Sequence, residues 1–159
     1  MKAKKNGLEI EKRFLLKSAP DLKKYDECLQ IIQYYTPAGR FRKIIHSNAG
    51  KIEFVKTKKN GISKGVANEK EWELTESEFK KAIKNHTRSI SKLRFVKKIG
   101  KLKWEIDIFD NLVIAEVEVE TKKELKTVKI PKPIKDVLIL DITGIDAFSN
   151  YNLADKLKK

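Results

Sequence analysis

The chain has 159 residues, of which 40% are hydrophobic and only Cys28 is a cysteine. That length suits one ordinary domain with a conventional core, and the lone cysteine excludes an internal disulfide or a cysteine-rich zinc site. The formal charge of +14, from 36 Lys and Arg against 22 Asp and Glu, favours polyanionic partners without choosing among nucleotides, polyphosphate and nucleic acid. No apolar run approaches bilayer length, and Met1 to Gly7 is basic without a signal-peptide core, so a cytoplasmic protein with no membrane partner is expected.

In chain order, side chains alternating with a period of two predict a first strand over Leu8–Leu16. Pro20 then opens a short helix over Asp21–Gln30, with Cys28 reading as a small buried hydrophobe. Strands follow at Ile31–Tyr35, Phe41–Ser47, Ile52–Lys58 and Lys70–Leu74, with turns at Asn48–Gly50 and at Asn60 with Gly61. Thr75 and Glu78 form a capping box for a helix reaching about Asn85. Three more strands are read at Ser91–Lys97, Lys101–Phe109 and Val113–Glu120, the first two joined through Gly100. Short helical turns at Lys122–Lys126 and Lys135–Leu138 flank the Pro131 and Pro133 pair. A last helix begins near Asn150, with Leu153 and Leu157 on one side. The class is α+β, mainly β, and residues 1–159 read as a single domain. The lysine runs at Lys56, Lys58, Lys59 and at Lys156, Lys158, Lys159 read first as solvated surface.

One face of strand after strand is charged. Glu9, Glu11 and Arg13 alternate with Leu8, Ile10, Lys12 and Phe14. Arg40 and Arg42 flank Phe41, and Lys56 shares a strand face with Phe54 opposite Val55. Glu71 and Glu73 flank Trp72, Lys92 and Arg94 flank Leu93, and Glu105 and Asp107 flank Ile106. Glu116, Glu118 and Glu120 are separated by Val117 and Val119. Members of each pair, offset by two, point the same way. An antiparallel sheet with a solvated outer face would explain any single pair. The whole set is segregated by sign along the chain and uses charged residues where exposed strands commonly carry Thr and Ser. If the charged faces converge, clustered carboxylates call for a divalent cation and an all-oxygen site suits Mg²⁺, Mn²⁺ or Ca²⁺. Facing arginines and lysines call for phosphate oxygens.

The stretch Glu9-Ile10-Glu11-Lys12-Arg13-Phe14 resembles the Glu-x-Glu-x-Lys signature of the CYTH superfamily, the triphosphate tunnel metalloenzymes. Similar pairs continue in order: Gln33 with Tyr35, Arg40-Phe41-Arg42, Lys56, Glu71-Trp72-Glu73, Lys92-Leu93-Arg94, Trp104-Glu105-Ile106-Asp107, Glu116-Val117-Glu118, and the closing Ile142-Thr143-Gly144 with Asn150 and Asn152-Leu153-Ala154. The resemblance implies an eight-stranded antiparallel β-barrel tunnel with a charged interior, flanked by short helices, with Ile10, Trp72, Trp104 and Ile106 facing outward. Two positions depart from the pattern. Arg13 replaces the lysine that closes the signature, and Ala147 stands where a basic residue usually precedes the aromatic Phe148.

By the same resemblance, Glu9, Glu11, Glu116 and Glu118 are metal ligands for Mg²⁺ or Mn²⁺. Glu73, Glu105 and Asp107, with Glu71, would ligate or position water at a second metal. Arg13, Arg40, Arg42, Lys56, Lys92 and Arg94 bind the phosphate chain, and Lys92 is the base or water-orienting group with Glu71 as its competitor. The expected activity is metal-dependent hydrolysis of a triphosphate, inorganic triphosphate first. Thiamine or nucleoside triphosphate hydrolysis and class IV adenylate cyclase chemistry are alternatives within the family. A non-catalytic polyphosphate- or nucleotide-binding module is the alternative outside catalysis. Nucleic-acid binding is disfavoured because so many acids sit beside the cations. His46 and His86 have no partner at ligand spacing and read as surface or turn residues. Trp72 and Trp104 read as packing residues, and Ser18, Ser47 and Ser149 have no evident base beside them.

Overall fold

A computed structural model describes residues 1–156, with side chains through Ala154; Leu157 and the Lys156, Lys158, Lys159 run, as regards side chains, lie outside the described residues. Among the described residues nine strands form: β1 Lys2–Leu16, β2 Glu27–Thr36, β3 Gly39–His46, β4 Lys51–Ser63, β5 Val66–Leu74, β6 Arg88–Ile99, β7 Leu102–Phe109, β8 Leu112–Glu118 and β9 Leu138–Asp141. The hydrogen-bonded order β5-β4-β3-β2-β6-β7-β8-β1 is closed by pairing of β1 with β5, giving an antiparallel eight-stranded barrel. The strand β1 closes it by changing partner on one edge. Lys2 to Ile10 lie against β5, and Phe14 to Leu16 lie against β9, while Glu11 to Leu16 hold β8 on the other edge.

The barrel alternates faces as period-two strands must. Outward positions Phe14, Leu16, Trp104, Ile106, Val113, Ala115 and Val117 make the largest apolar cluster, covered by Leu22 and by Ile134. Trp104, 1% exposed, packs on Phe14 at 6.1 Å between ring centroids. At inward positions, two apolar clusters bound the polar interior. Leu15, Ile90, Phe109, Leu112 and Ile114 meet Ile142, Phe148 and Leu153 from the C-terminal segment. Leu29, Ile31, Ile44 and Val55 gather on the other side.

Helices are short; three pack on outward strand positions, whereas the last meets the inward cluster at one end of the barrel. The Thr75–Glu78 capping box opens α1, Glu76–Ala82, as expected, and a 3₁₀ turn continues it over Ile83–Asn85. Its Phe79 is buried against Tyr34 and Phe54. Further helices are α2 Glu124–Thr127, α3 Lys132–Lys135 and α4 Asn150–Lys156. No described helix is long and apolar enough to cross a membrane.

Four local expectations are corrected. The helix expected over Asp21–Gln30 is absent: Asp21 to Asp26 are irregular, with bends at Lys23, Lys24 and Asp26, and β2 begins at Glu27, because pairing with both β3 and β6 outweighs a weak helical propensity. Asn60 and Gly61 are not a turn but lie inside β4, paired with Asn68 and Ala67. The helical turn expected over Lys135–Leu138 falls earlier, at Lys132–Lys135, with Pro133 near its N-terminus, where a proline fits. Cys28 is half-buried rather than buried.

The turn displaced from Asn60–Gly61 falls at Lys64–Gly65, where Gly65 has φ of 76°. Its carbonyl accepts from the Glu11 amide at 2.9 Å. A β-carbon there would meet the Glu11 carbonyl oxygen at 2.7 Å and Thr143 Cγ2 at 2.9 Å. Gly65→Ala should therefore destabilise the chain by about 1–3 kcal/mol, read as a lowered melting temperature, and an unchanged melt would show that this turn adapts.

Candidate functional site

The inward strand positions converge on one cavity of about 910 Å³. Carboxylates enter from β1 (Glu9, Glu11), β5 (Glu69, Glu71), β7 (Glu105) and β8 (Glu116, Glu118). Cations enter from β1 (Lys5, Arg13), β3 (Arg40, Arg42), β4 (Lys59) and β6 (Lys92, Arg94). Register explains the convergence: Arg13 pairs with Glu116, Glu116 with Glu105, and Arg94 with Asp107. Directly opposed residues of neighbouring strands share a face.

At the base of the cavity Asp107 is fully buried and accepts from Lys92 Nζ at 2.8 Å, Arg94 Nε at 2.7 Å and Arg94 Nη2 at 2.8 Å. Burial would raise its carboxyl, but Arg94 and Lys92 hold it well below the usual range. Burial, helped by neighbouring Arg94, brings the Lys92 ammonium down to about 8 against the opposing pull of Asp107. Arg13 lies beside Glu116, with Nε to Oε2 at 3.3 Å, and its Nη1 donates to the Phe148 carbonyl at 2.8 Å. The arginine that departs from the signature thus reaches the segment containing Ala147.

On the opposite wall Arg42 donates to Glu71 at 2.9 Å and to Thr57 at 3.3 Å. Burial and the adjacent Arg40 lower its guanidinium to about 10. The Nε groups of Arg40 and Arg42 are buried without a hydrogen-bond partner among the described residues, an arrangement that costs free energy unless an acceptor arrives. Tyr35 also lines the cavity, and its hydroxyl accepts from buried Gln33 at 2.9 Å.

The acidic wall is partly neutralised from within. Lys59 Nζ bonds to Glu9 and lies 3.6 Å from Glu11 Oε1. Lys5 Nζ lies 3.2 Å from Glu69 and 3.8 Å from Glu118. Burial and the nearby Glu116 nevertheless push the Glu11 carboxyl up to about 8. Among the described residues no three Asp, Glu, His or Cys side chains converge into a ready metal cage.

Of the residues expected from the sequence, Glu9, Glu11, Arg13, Arg40, Arg42, Glu71, Lys92, Arg94, Glu105, Glu116 and Glu118 line this one cavity. Three do not. Lys56 lies on the outer face, its Nζ 5.2 Å from the Trp72 ring centre and 5.8 Å from that of Phe41. The interior position beside it is taken by Val55, packed with Ile31 and Ile44. Glu73 shares the face of Glu71 but is exposed near the end of β5, outside the lining. Asp107 sits behind the lining, its oxygens already bonded to Lys92 and Arg94.

Sequence reasoning missed Lys5, Lys59 and Glu69, each just past a strand end drawn too short. Continuing the alternation from Val55 through Thr57 would have reached Lys59. His46, read as a surface or turn residue, bonds Glu53 at 2.5 Å, and exposed His86 bonds the Ile83 carbonyl at 2.7 Å.

No protein-family model matches the chain, and no curated protein matches it. Solved structures do. One, of the hypothetical protein NE1496, is 21% identical, with a TM-score of 0.58 over 92% of this chain and 97% of that one. The structure described as the inorganic triphosphatase NE1496 is 20% identical, with a TM-score of 0.57 over 92% and 93%. The PH1012 protein from Pyrococcus horikoshii OT3 is 18% identical, with a TM-score of 0.51 over 76% and 84%. At these identities the likeness is one of fold. The resemblance to the triphosphate tunnel metalloenzymes is borne out at that level, as a closed antiparallel barrel around a charged interior.

Proposed function

We propose that this chain hydrolyses a triphosphate in the barrel interior with the help of Mg²⁺ or Mn²⁺, inorganic triphosphate being the favoured substrate. The observation that carries the reading is the pair of buried Arg40 and Arg42 Nε donors that find no acceptor among the described residues, facing carboxylates across the same cavity. Phosphate oxygens satisfy such donors, and no neutral ligand offers as many acceptors with compensating charge. An inorganic triphosphatase of the same fold supports the choice of reaction.

The donor set fits a hard divalent cation because it is all oxygen. Mg²⁺ needs only one or two carboxylates when substrate phosphates complete its shell, so a preformed cage is not required. Glu9, Glu11, Glu116 and Glu118 would hold it, with Glu105 as a further oxygen donor. Bound there, it would supply charge for the phosphoryl oxygens and orient the chain. Arg13, Arg40, Arg42 and Arg94 grip the phosphates and offset charge developing on the leaving oxygen. Lys92, held by Asp107, orients the attacking water or accepts its proton, its lowered ammonium bringing the free amine within reach of neutral pH. Glu71 is a weaker candidate because it is bonded to Arg42.

Phosphate release is to be measured from tripolyphosphate, ATP and thiamine triphosphate with Mg²⁺ or Mn²⁺. Tripolyphosphate should turn over fastest, and Lys92→Ala should lower that rate by about a hundredfold. Pyrophosphate and cyclic AMP from ATP would make the protein a cyclase. Binding without turnover of any substrate would make it a binding module.

A further inference from the structure

Lys59 belongs to β4, yet its ammonium reaches past β5, to which β4 is paired, and sits between Glu9 and Glu11 of β1. These are two of the carboxylates assigned above to the metal. A divalent ion placed on them meets a positive charge already in contact with one and 3.6 Å from the other. The Lys59 side chain retains 39% of its exposure, so it is neither walled in nor packed into a core. On the same strand Thr57 bonds Arg42, and Thr57 pairs directly with Arg40. The root of Lys59 therefore lies beside the phosphate-gripping arginines while its tip lies on the acids.

We propose that Lys59 is an internal counter-cation that competes with the divalent metal for Glu9 and Glu11 and is drawn off them by the substrate's phosphate oxygens. Metal and phosphate chain then bind cooperatively: each removes an obstacle to the other, and the coupling is reciprocal by linkage. In the resting protein the ammonium offsets the negative charge that the Glu9–Glu11 pair carries. With substrate present it becomes one more cation on the phosphate chain. This inference rests on the assignment of Glu9 and Glu11 to the metal.

Calorimetric titration of the protein with Mn²⁺ alone, without substrate, tests it. Lys59→Met should bind Mn²⁺ about tenfold more tightly than the wild type, the factor expected for removing a single positive charge some 6 Å from a divalent ion even in water's dielectric. Lys59→Arg, which keeps the charge, should stay within about threefold of the wild type. Equal or weaker Mn²⁺ binding by Lys59→Met would overturn the proposal while leaving the metal assignment standing. No Mn²⁺ binding by either protein would remove the metal assignment, and this inference with it. Should Lys59→Met fold poorly, the wild type decides the matter by NMR. Mg²⁺ should release the Lys59 ammonium signal into fast solvent exchange, and a signal unmoved at saturating Mg²⁺ would refute the competition.

Discussion

Glu11→Gln is expected to lower tripolyphosphate hydrolysis at saturating Mg²⁺ by about a thousandfold while leaving the metal-free protein folded. The substitution replaces a charged oxygen donor with a neutral one at the centre of the proposed metal site, where charge stabilisation is the main contribution to rate. Its effect on folding runs the other way. Burial and Glu116 push the Glu11 carboxyl up to about 8, so below its ordinary value of 4.5 the folded and unfolded chains both hold the proton and nothing is lost. As pH rises from there towards about 8 the folded chain resists ionisation and loses stability relative to the unfolded one. Glutamine, which mimics the protonated carboxyl, should therefore melt at the same temperature as the wild type at pH 4 and higher at pH 8. Activity and melting thus separate: wild-type rates in the variant would remove Glu11 from the metal site whatever the melts show.

The second large effect concerns Asp107. Asp107→Ala leaves Lys92 and Arg94 buried without their shared acceptor. Breaking a buried pair in this way costs about 3–5 kcal/mol, which for a chain of this size lowers the melting temperature by roughly 10 °C. Arg94 and Lys92 hold the carboxyl well below its ordinary value of 3.8 despite burial. Its contribution is thus fully present above that ordinary value and lost as pH falls through the depressed value of the folded state. The gap in melting temperature between variant and wild type should be present throughout pH 8 to 5 and begin to close only below about pH 4. A gap already gone at pH 5 would mean that the three groups are not paired in solution.

How far these features were legible in the sequence depends on what each residue's neighbours reveal. Alternation identified the inward faces of β1, β3, β6, β7 and β8, because charged side chains there are separated by large apolar ones such as Phe41, Ile106 and Val117. It failed on β4, where Val55 and Thr57 fill interior positions and Lys56 lies outside over Trp72. Charge marks the interior only where the interior is wet, and Val55 belongs to its dry margin. Asn60 and Gly61 read as a turn because their local preferences favour one, but pairing with Asn68 and Ala67 overrides them. Drawing the strand end at Lys58 concealed Lys59. Asp107 was legible as an inward acid but not as an acid already bonded to Lys92 and Arg94, since that depends on strand register.

The strand β1 carries Glu9, Glu11 and Arg13 and is also the staple of the barrel, bridging Lys5 to Glu71 on one side and Glu11 to Glu118 on the other. These contacts join residues far apart in sequence, the kind that a folding chain completes slowly. Docking of the N-terminal strand and assembly of the acidic wall are consequently one event. A chain with every other hairpin in place would still lack the four charged groups that β1 brings to the cavity, Lys5, Glu9, Glu11 and Arg13, so the site is complete only when the last seam is sewn.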